Sequence, residues 1–307
     1  MGTVHAHALM NEDQIILTLT AARLPKLKPH EKTFLCTYFY DNPSDFFSAD
    51  FLEIETLVGR PLPQSWNSAL LREQAENDAL LAKKRGISFV SYLESGYPPQ
   101  LREIFDPPPV LFYRGRLPRP TLPHVAIVGT RKPTGAGVSS AFNIARELGA
   151  FGFPVVSGLA LGIDAMAHKG CVEGGGTTLA VLASSPDEVY PKTNRRLAQR
   201  ILETGGGLLS EYAPGTKPDI WRFPARNRLI SGLARGVLII EAPEKSGALI
   251  TARFAAEQNR DLFVTRLSLD SPRGRGCVKL AEDGARTING AGDILCEWGW
   301  AQAESSP

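Results

Sequence analysis

Cysteine is scarce in this chain of 307 residues, and its four copies, Cys36, Cys171, Cys277 and Cys296, never fall in a C-x-x-C pair. That spacing indicates neither a zinc site nor a disulfide framework; buried, reduced thiols of a cytoplasmic protein are expected. The five histidines (His5, His7, His30, His124 and His168) include no H-E-x-x-H pair, and no metal is expected. No apolar run reaches 18 residues and no basic N-terminal segment precedes an apolar core, so neither a membrane span nor an export signal is expected. G-x-G-x-x-G and G-x-x-x-x-G-K-[ST] are both missing, which removes the usual dinucleotide and P-loop fingerprints. The net charge is only +2, so any basic surface must come from local clustering. Hydrophobic content of 43% and charged content of 21% are ordinary for a globular chain with one large or two smaller domains.

What is present begins with Val125 to Gly137, V-A-I-V-G-T-R-K-P-T-G-A-G. The β-branched run Val125 to Val128 predicts a buried strand, and an amphipathic helix is predicted from Val138 to Phe151. A strand, a glycine loop and a helix start form a turn suited to phosphate, since free backbone N–H groups point outward and glycine lets an anion approach. Arg131 and Lys132 add two cations to that loop. A glycine turn that only packs helix on strand would read the same way.

From residue 125 onward strands and helices alternate. Strands are predicted at 125–128, 154–156, 178–182, 207–209, 236–240 and 262–265, and helices at 138–151, 163–173, 194–204, 226–234 and 249–258. The fold class is α/β, with a doubly wound, mostly parallel sheet, and function is expected in the loops at the carboxyl ends of its strands. Residues 1–85 predict a small all-α domain, with helices near 13–24, 32–40, 49–58 and 66–85 broken at Asn42-Pro43 and Arg60-Pro61. Residues 86–124 are expected to form an extended connector with short strands near 87–90 and 110–113. Three prolines between Arg116 and Pro123 place the boundary near 116–124. The α/β domain is expected over 125–295, with a tail over 296–307.

The loops are rich in anion-binding chemistry. Ser157 and Gly158 open a second glycine turn, followed by Asp164 and, one helical turn later, His168. That Asp/His spacing suits acid–base work but more often a helix-end hydrogen bond. Lys192, Arg195 and Arg196 follow strand three. Between Arg222 and Arg235 stand four arginines and no acids, with Trp221 and Phe223 beside them. Arginine neutralises phosphate and an aromatic ring stacks on a base, so this segment suits single-stranded nucleic acid. Glu241 ends strand five, placed to hold a ribose or an arginine, or to act structurally. Ser246 and Gly247 predict another anion-competent helix start.

Taken together, Val125 to Arg131, Ser157 to Ala160, Gly162 to Ala165, Tyr190-Pro191, Asn194, Leu209 to Glu211, Phe223-Pro224, Arg226 to Arg228, Ser246-Gly247 and Thr251 to Arg253 resemble the DNA-processing protein A family (DprA, also called Smf), from about residue 85 to residue 290. The helical N-terminus is similar to the sterile-alpha-motif-like (SAM-like) domain of many members. The resemblance implies a Rossmann-like domain and a binding protein, not an enzyme, with no cofactor. Such a protein binds single-stranded DNA, protects it, forms a homodimer and loads a RecA-type recombinase in natural transformation. It further implies DNA contacts by Arg131, Lys192, Arg195, Phe223, Arg226 and Arg228; with the anion-competent turns and their neighbours, the expected DNA/phosphate site is Gly129, Thr130, Arg131, Lys132, Ser157, Gly158, Lys192, Arg195, Phe223, Arg226, Asn227, Arg228, Ser246 and Gly247. The chain departs from the family pattern at Leu161, Ala183 to Ser185, Thr265-Arg266 and Val278. With the chain ending at Pro307, no winged-helix domain is expected. Two other readings stand beside it. A nucleotide phosphoribohydrolase has a similar fold, but its Pro-Gly-Gly-x-Gly-Thr-x-x-Glu is absent and Gly174 to Thr177 is the nearest run. A sensor of a free nucleotide is the third.

Overall fold

The structure, a computed structural model, describes residues 10–63, 65–117 and 122–300. The described chain opens with helices α1 (Glu12–Arg23), α2 (Pro29–Tyr38), α3 (Pro43–Ser48), α4 (Phe51–Val58) and α5 (Ser68–Lys84). β1 (Ser88–Ser91), α6 (Pro99–Arg102) and β2 (Val110–Gly115) follow. Then come β3 (Val125–Gly129), α7 (Gly135–Ala150), β4 (Val155–Ser157), α8 (Ile163–Glu173), β5 (Thr178–Val181), α9 (Arg195–Glu203), β6 (Gly207–Ser210) and α10 (Arg222–Leu233). The chain continues with β7 (Gly236–Ile240), α11 (Gly247–Glu257), β8 (Asp261–Thr265), α12 (Arg266–Asp270), α13 (Arg275–Glu282), β9 (Arg286–Ile288) and α14 (Ala291–Glu297).

Local chemistry sets many of these ends. Asn11 and Gln14 form a reciprocal capping box at the start of α1. Asn67 accepts the Leu70 N–H at 3.0 Å to start α5, and Gly86, at φ +62°, follows its last turn. Pro43, expected to break a helix, instead begins α3, because a first-turn residue has no intrahelical use for the N–H that proline lacks.

The strands form one nine-stranded sheet in the order β1-β2-β6-β5-β4-β3-β7-β8-β9. All pairs from β6 to β9 are parallel, whereas β1–β2 and β2–β6 are antiparallel. This is the doubly wound, Rossmann-like sheet expected from the alternating pattern. The segment read as a connector thus contributes two strands to the sheet. The central strands are apolar throughout because both faces are covered. Ala126, Val128, Val237 and Ile239 pack on one side with Leu229, Leu233 and Ala252 of α10 and α11. Val125, Ile127, Leu238 and Ile240 pack on the other with Ile144, Leu148 and Ala167 of α7 and α8. The helical N-terminus docks on the antiparallel edge, where Leu19, Ala75 and Ala82 meet Ile87, Val110 and Phe112.

Candidate nucleic-acid interface

The chain winds outward from β3 through β4 and β5 to β6, then returns along α10 to β7, which lies beside β3. Strand order reverses there, and a crevice at the carboxyl ends of the two strands is the geometric result. It is a cleft of about 650 Å³, lined by the loop after β3, the start of α10 and the start of α11.

Two of the anion-competent turns are already filled by the protein's own carboxylates. Glu241, fully buried at the end of β7, accepts from Thr134 N–H at 2.7 Å, Thr134 Oγ at 2.5 Å and Ser271 Oγ at 2.6 Å. It therefore occupies the start of α7, and a Cβ on Gly137 would lie 2.5 Å from its Oε2. The glycine expected to admit a phosphate there admits Glu241 instead. At the second turn Asp164 Oδ2 accepts Gly158 N–H at 3.1 Å and Ala160 N–H at 3.4 Å. Burial raises the Asp164 pKa, while the nearby Arg226 charge and these two N–H groups oppose the rise. His168 does not pair with Asp164. Its Nδ1 meets Thr178 Oγ at 2.7 Å, and burial drops its pKa to about 3.

The arginines separate just as sharply. Arg226 is only 4% exposed, and one Nη donates to the carbonyls of Gly158 and Val181. Burial lowers its pKa to about 10, and the Asp164 carboxylate opposes that fall. Arg226 lines the cleft floor, and a Cβ on Gly158 would lie 2.5 Å from its guanidinium. Arg228 is turned away from the cleft. It holds Glu211 through two bonds of 2.7 Å and donates to the Asp106 carbonyl at 3.1 Å and to that of Ala225 at 2.8 Å. Arg131 is exposed, with its guanidinium 5.4 Å from the centre of the Phe223 ring. Tyr190 extends this aromatic corner, its ring 5.7 Å from Phe223.

The structure brings Gly129, Thr130, Arg131, Lys132, Phe223, Arg226, Asn227, Ser246 and Gly247 together around the cleft. Asn227 donates to the Gly247 carbonyl at 3.3 Å and so ties α10 to the start of α11, where Ser246 Oγ accepts Ala248 N–H. Ser157 and Gly158 are buried beneath it, Ser157 Oγ donating to the Ile127 carbonyl at 2.6 Å. Lys192 and Arg195 are exposed beyond Tyr190 and do not line the cleft. Their neighbour Asn194 donates to the Leu159 carbonyl at 2.9 Å, which fixes that loop against the second turn. Two cleft cations, Lys245 and Arg273, were not among the expected site residues. Each sits beside a glycine-bearing loop, and that was the available signal. Arg131, Lys132, Lys245 and Arg273 are exposed and enter no ion pair among the described residues. Among the described residues no cluster of His, Cys, Asp and Glu is placed to hold a metal, and no helix is long and apolar enough to cross a membrane.

An open, mostly parallel sheet with a cleft lined by exposed cations and an aromatic ring at its switch point defines a Rossmann-like protein. The chain belongs to the DNA processing protein A (DprA/Smf) family: residues 88–299 match DNA recombination-mediator protein A. It is 41% identical over 216 residues to DNA processing protein DprA of Bacillus subtilis, covering 70% of this chain and 72% of that one. The match to Protein Smf of Synechocystis is 45% over 221 residues, covering 71% of this chain but 55% of the relative, so the chain spans about half of that protein. The X-ray structure of DprA from Streptococcus pneumoniae superposes with a TM-score of 0.76 at 34% identity, over 94% of this chain and 99% of that one. A structure of DNA processing protein A from Helicobacter pylori, solved for its single-stranded DNA binding mode, has a TM-score of 0.61 at 32% identity, over 69% of this chain and 95% of its own.

Proposed function

We propose that this protein binds single-stranded DNA in the switch-point cleft and acts as a recombination mediator, protecting incoming strands and loading a RecA-type recombinase. The observation that carries the reading is the set of four exposed cations, Arg131, Lys132, Lys245 and Arg273, that line one cleft with Phe223, whose ring Arg131 covers. Cations meet phosphates, and a ring accepts a base of any sequence. The H. pylori relative, described by its single-stranded DNA binding mode, supports the same ligand class. Asp164, which lines the cleft, and Glu241, buried at the end of β7, are committed to backbone and hydroxyl donors, which favours a binding protein over an enzyme. Cytoplasmic location, a homodimer and a role in natural transformation complete the proposal. So does the division into a helical unit over 1–85, a bridge over 86–124 and a Rossmann-like unit over 125–295, with Lys192 and Arg195 extending the DNA track.

Fluorescence anisotropy with matched single- and double-stranded oligonucleotides over a salt series tests the binding. Tight, salt-steep binding of oligothymidine with weak duplex binding is expected; no binding to either at low salt would sink the reading. Nucleation of RecA filaments on strands coated with single-strand-binding protein tests the mediator role. A free nucleotide in the same cleft is the second reading, favoured by a volume typical of small-molecule sites. Titration calorimetry with a nucleotide panel decides it.

A further inference from the structure

A second cavity, of about 380 Å³, lies across α10 from the cleft, between the helical N-terminus and the sheet. One stretch of chain parts the two spaces. Ile220, Phe223 and Asn227 line the cleft, whereas Trp221, Ala225 and Arg228 line the cavity. Spacings of three and four residues put each set on its own side of the helix. Between them the lip is exposed and apolar: Ile220 is 87% exposed and Trp221 is 57% exposed. A soluble protein has no structural need for these two side chains side by side in water.

The cavity walls are aromatic and aliphatic on most sides. Tyr212 meets the Trp221 ring edge-on at 6.2 Å, and Leu27, Val110 and Phe254 close the rest. The Trp221 ring is held in place, its N–H donating to Asp219 at 2.8 Å and the Arg222 guanidinium lying 5.1 Å from its centre. Four charged side chains, Lys32, Asp106, Glu211 and Arg228, interrupt this lining. Lys32 Nζ donates to the Ala22 carbonyl at 2.7 Å and enters no ion pair among the described residues, so two of its three protons have room for another acceptor. Burial holds its pKa down at about 8. Glu211 gives both oxygens to Arg228 and keeps lone pairs beyond those bonds. A flat aromatic ligand with a donor and acceptor edge suits such walls. A phosphate does not, because Glu211 and Asp106 line the same space.

We propose that this cavity takes one base of a DNA strand whose backbone lies in the cleft, the strand crossing the Ile220 lip and the base stacking on Trp221 within reach of the Lys32 amine. The inference rests on the single-stranded DNA reading above and adds a second site to it. The test uses the full chain and an oligothymidine carrying one 2-aminopurine. Binding is expected to quench the probe. Trp221→Ala should restore its fluorescence and weaken binding on the order of tenfold, the usual effect of losing one base stack. Trp221→Phe should recover both, and Ala225→Leu, which fills the cavity from α10 with the ring intact, should repeat the loss. Photo-crosslinking of a 5-iodouracil oligonucleotide is expected to map to Trp221 or Tyr212. If wild-type and Trp221→Ala proteins bind with equal affinity and equal quenching, the base site is overturned while the cleft stands. If the wild-type protein binds no oligonucleotide, the cleft reading itself fails. Thymidine monophosphate that binds the cavity while the bound strand leaves its probe unquenched would overturn the strand as the source of the base.

Discussion

Glu241 and Arg131 stand within one cleft region and do opposite things. Glu241 is fully buried, has φ +50°, and satisfies three donors. Glu241→Gln puts an NH₂ group among those donors and is expected to cost about 2 kcal/mol, the penalty of unpaired buried polar groups, read as a lower urea midpoint. Gly137→Ala drives a methyl group into the same carboxylate and is expected to cost about 1–3 kcal/mol. Arg131 is exposed, with its guanidinium over the Phe223 ring, so Arg131→Ala should leave the melting temperature within about a degree or two, given the ~0.5–1 kcal/mol of an exposed cation–π pair. Its effect belongs to oligonucleotide binding, which should weaken for every sequence alike. The sequence offers Arg131, Arg226 and Arg228 alike as phosphate-binding arginines; burial separates the exposed one from the two that hold the frame.

At the scale of elements, α10 is the hinge of the design. It carries Arg226 to the carbonyls of Gly158 just after β4 and Val181 of β5, Arg228 to Glu211 after β6, and Asn227 to the start of α11. Removing one partner of the Arg228–Glu211 pair leaves an uncompensated buried charge, so Arg228→Met should destabilise by about 3–5 kcal/mol. Glu211→Gln placed on top should cost less than it does alone, and a double-mutant cycle in urea measures the difference. The sequence carried the central strands almost residue for residue, since uniform apolar runs have no other home than a covered sheet. It did not carry α12 or β9, which are short and lack a strong period, nor the pairing of β2 with β6 that joins β1 and β2 to the sheet, which depends on contacts distant in sequence.

Across the whole molecule charge is balanced, and its placement sets two solution properties. Neutralising phosphates with the four exposed cleft cations gives an expected slope of about −3 in log affinity against log salt for a single strand, and Arg131→Ala should reduce its magnitude by about 0.7. Stability is expected to fall in mild acid. Burial depresses the pKa of His124 to about 4 and of His168 to about 3, below the unfolded value near 6.5. The unfolded chain therefore binds protons that the folded chain refuses between pH 6.5 and about 4. Each histidine costs about 1.4 kcal/mol per pH unit in that window, and stability is recovered as pH rises. Urea midpoints measured from pH 7 to pH 4 check this, and His168→Gln should flatten part of the slope.

The sequence by itself determined the alternation of strand and helix, the glycine turns at the strand ends and the family. These depend on residues close together in the chain, where period, capping and turn chemistry act directly. Only the tertiary structure decided which turns stay open. Glu241 comes from 107 residues away to fill the first, Asp164 fills the second, and the start of α11 stays open beside four exposed cations. Whether a carboxylate or a phosphate sits at a helix start is settled by which charge the fold brings there, and that is a property of packing.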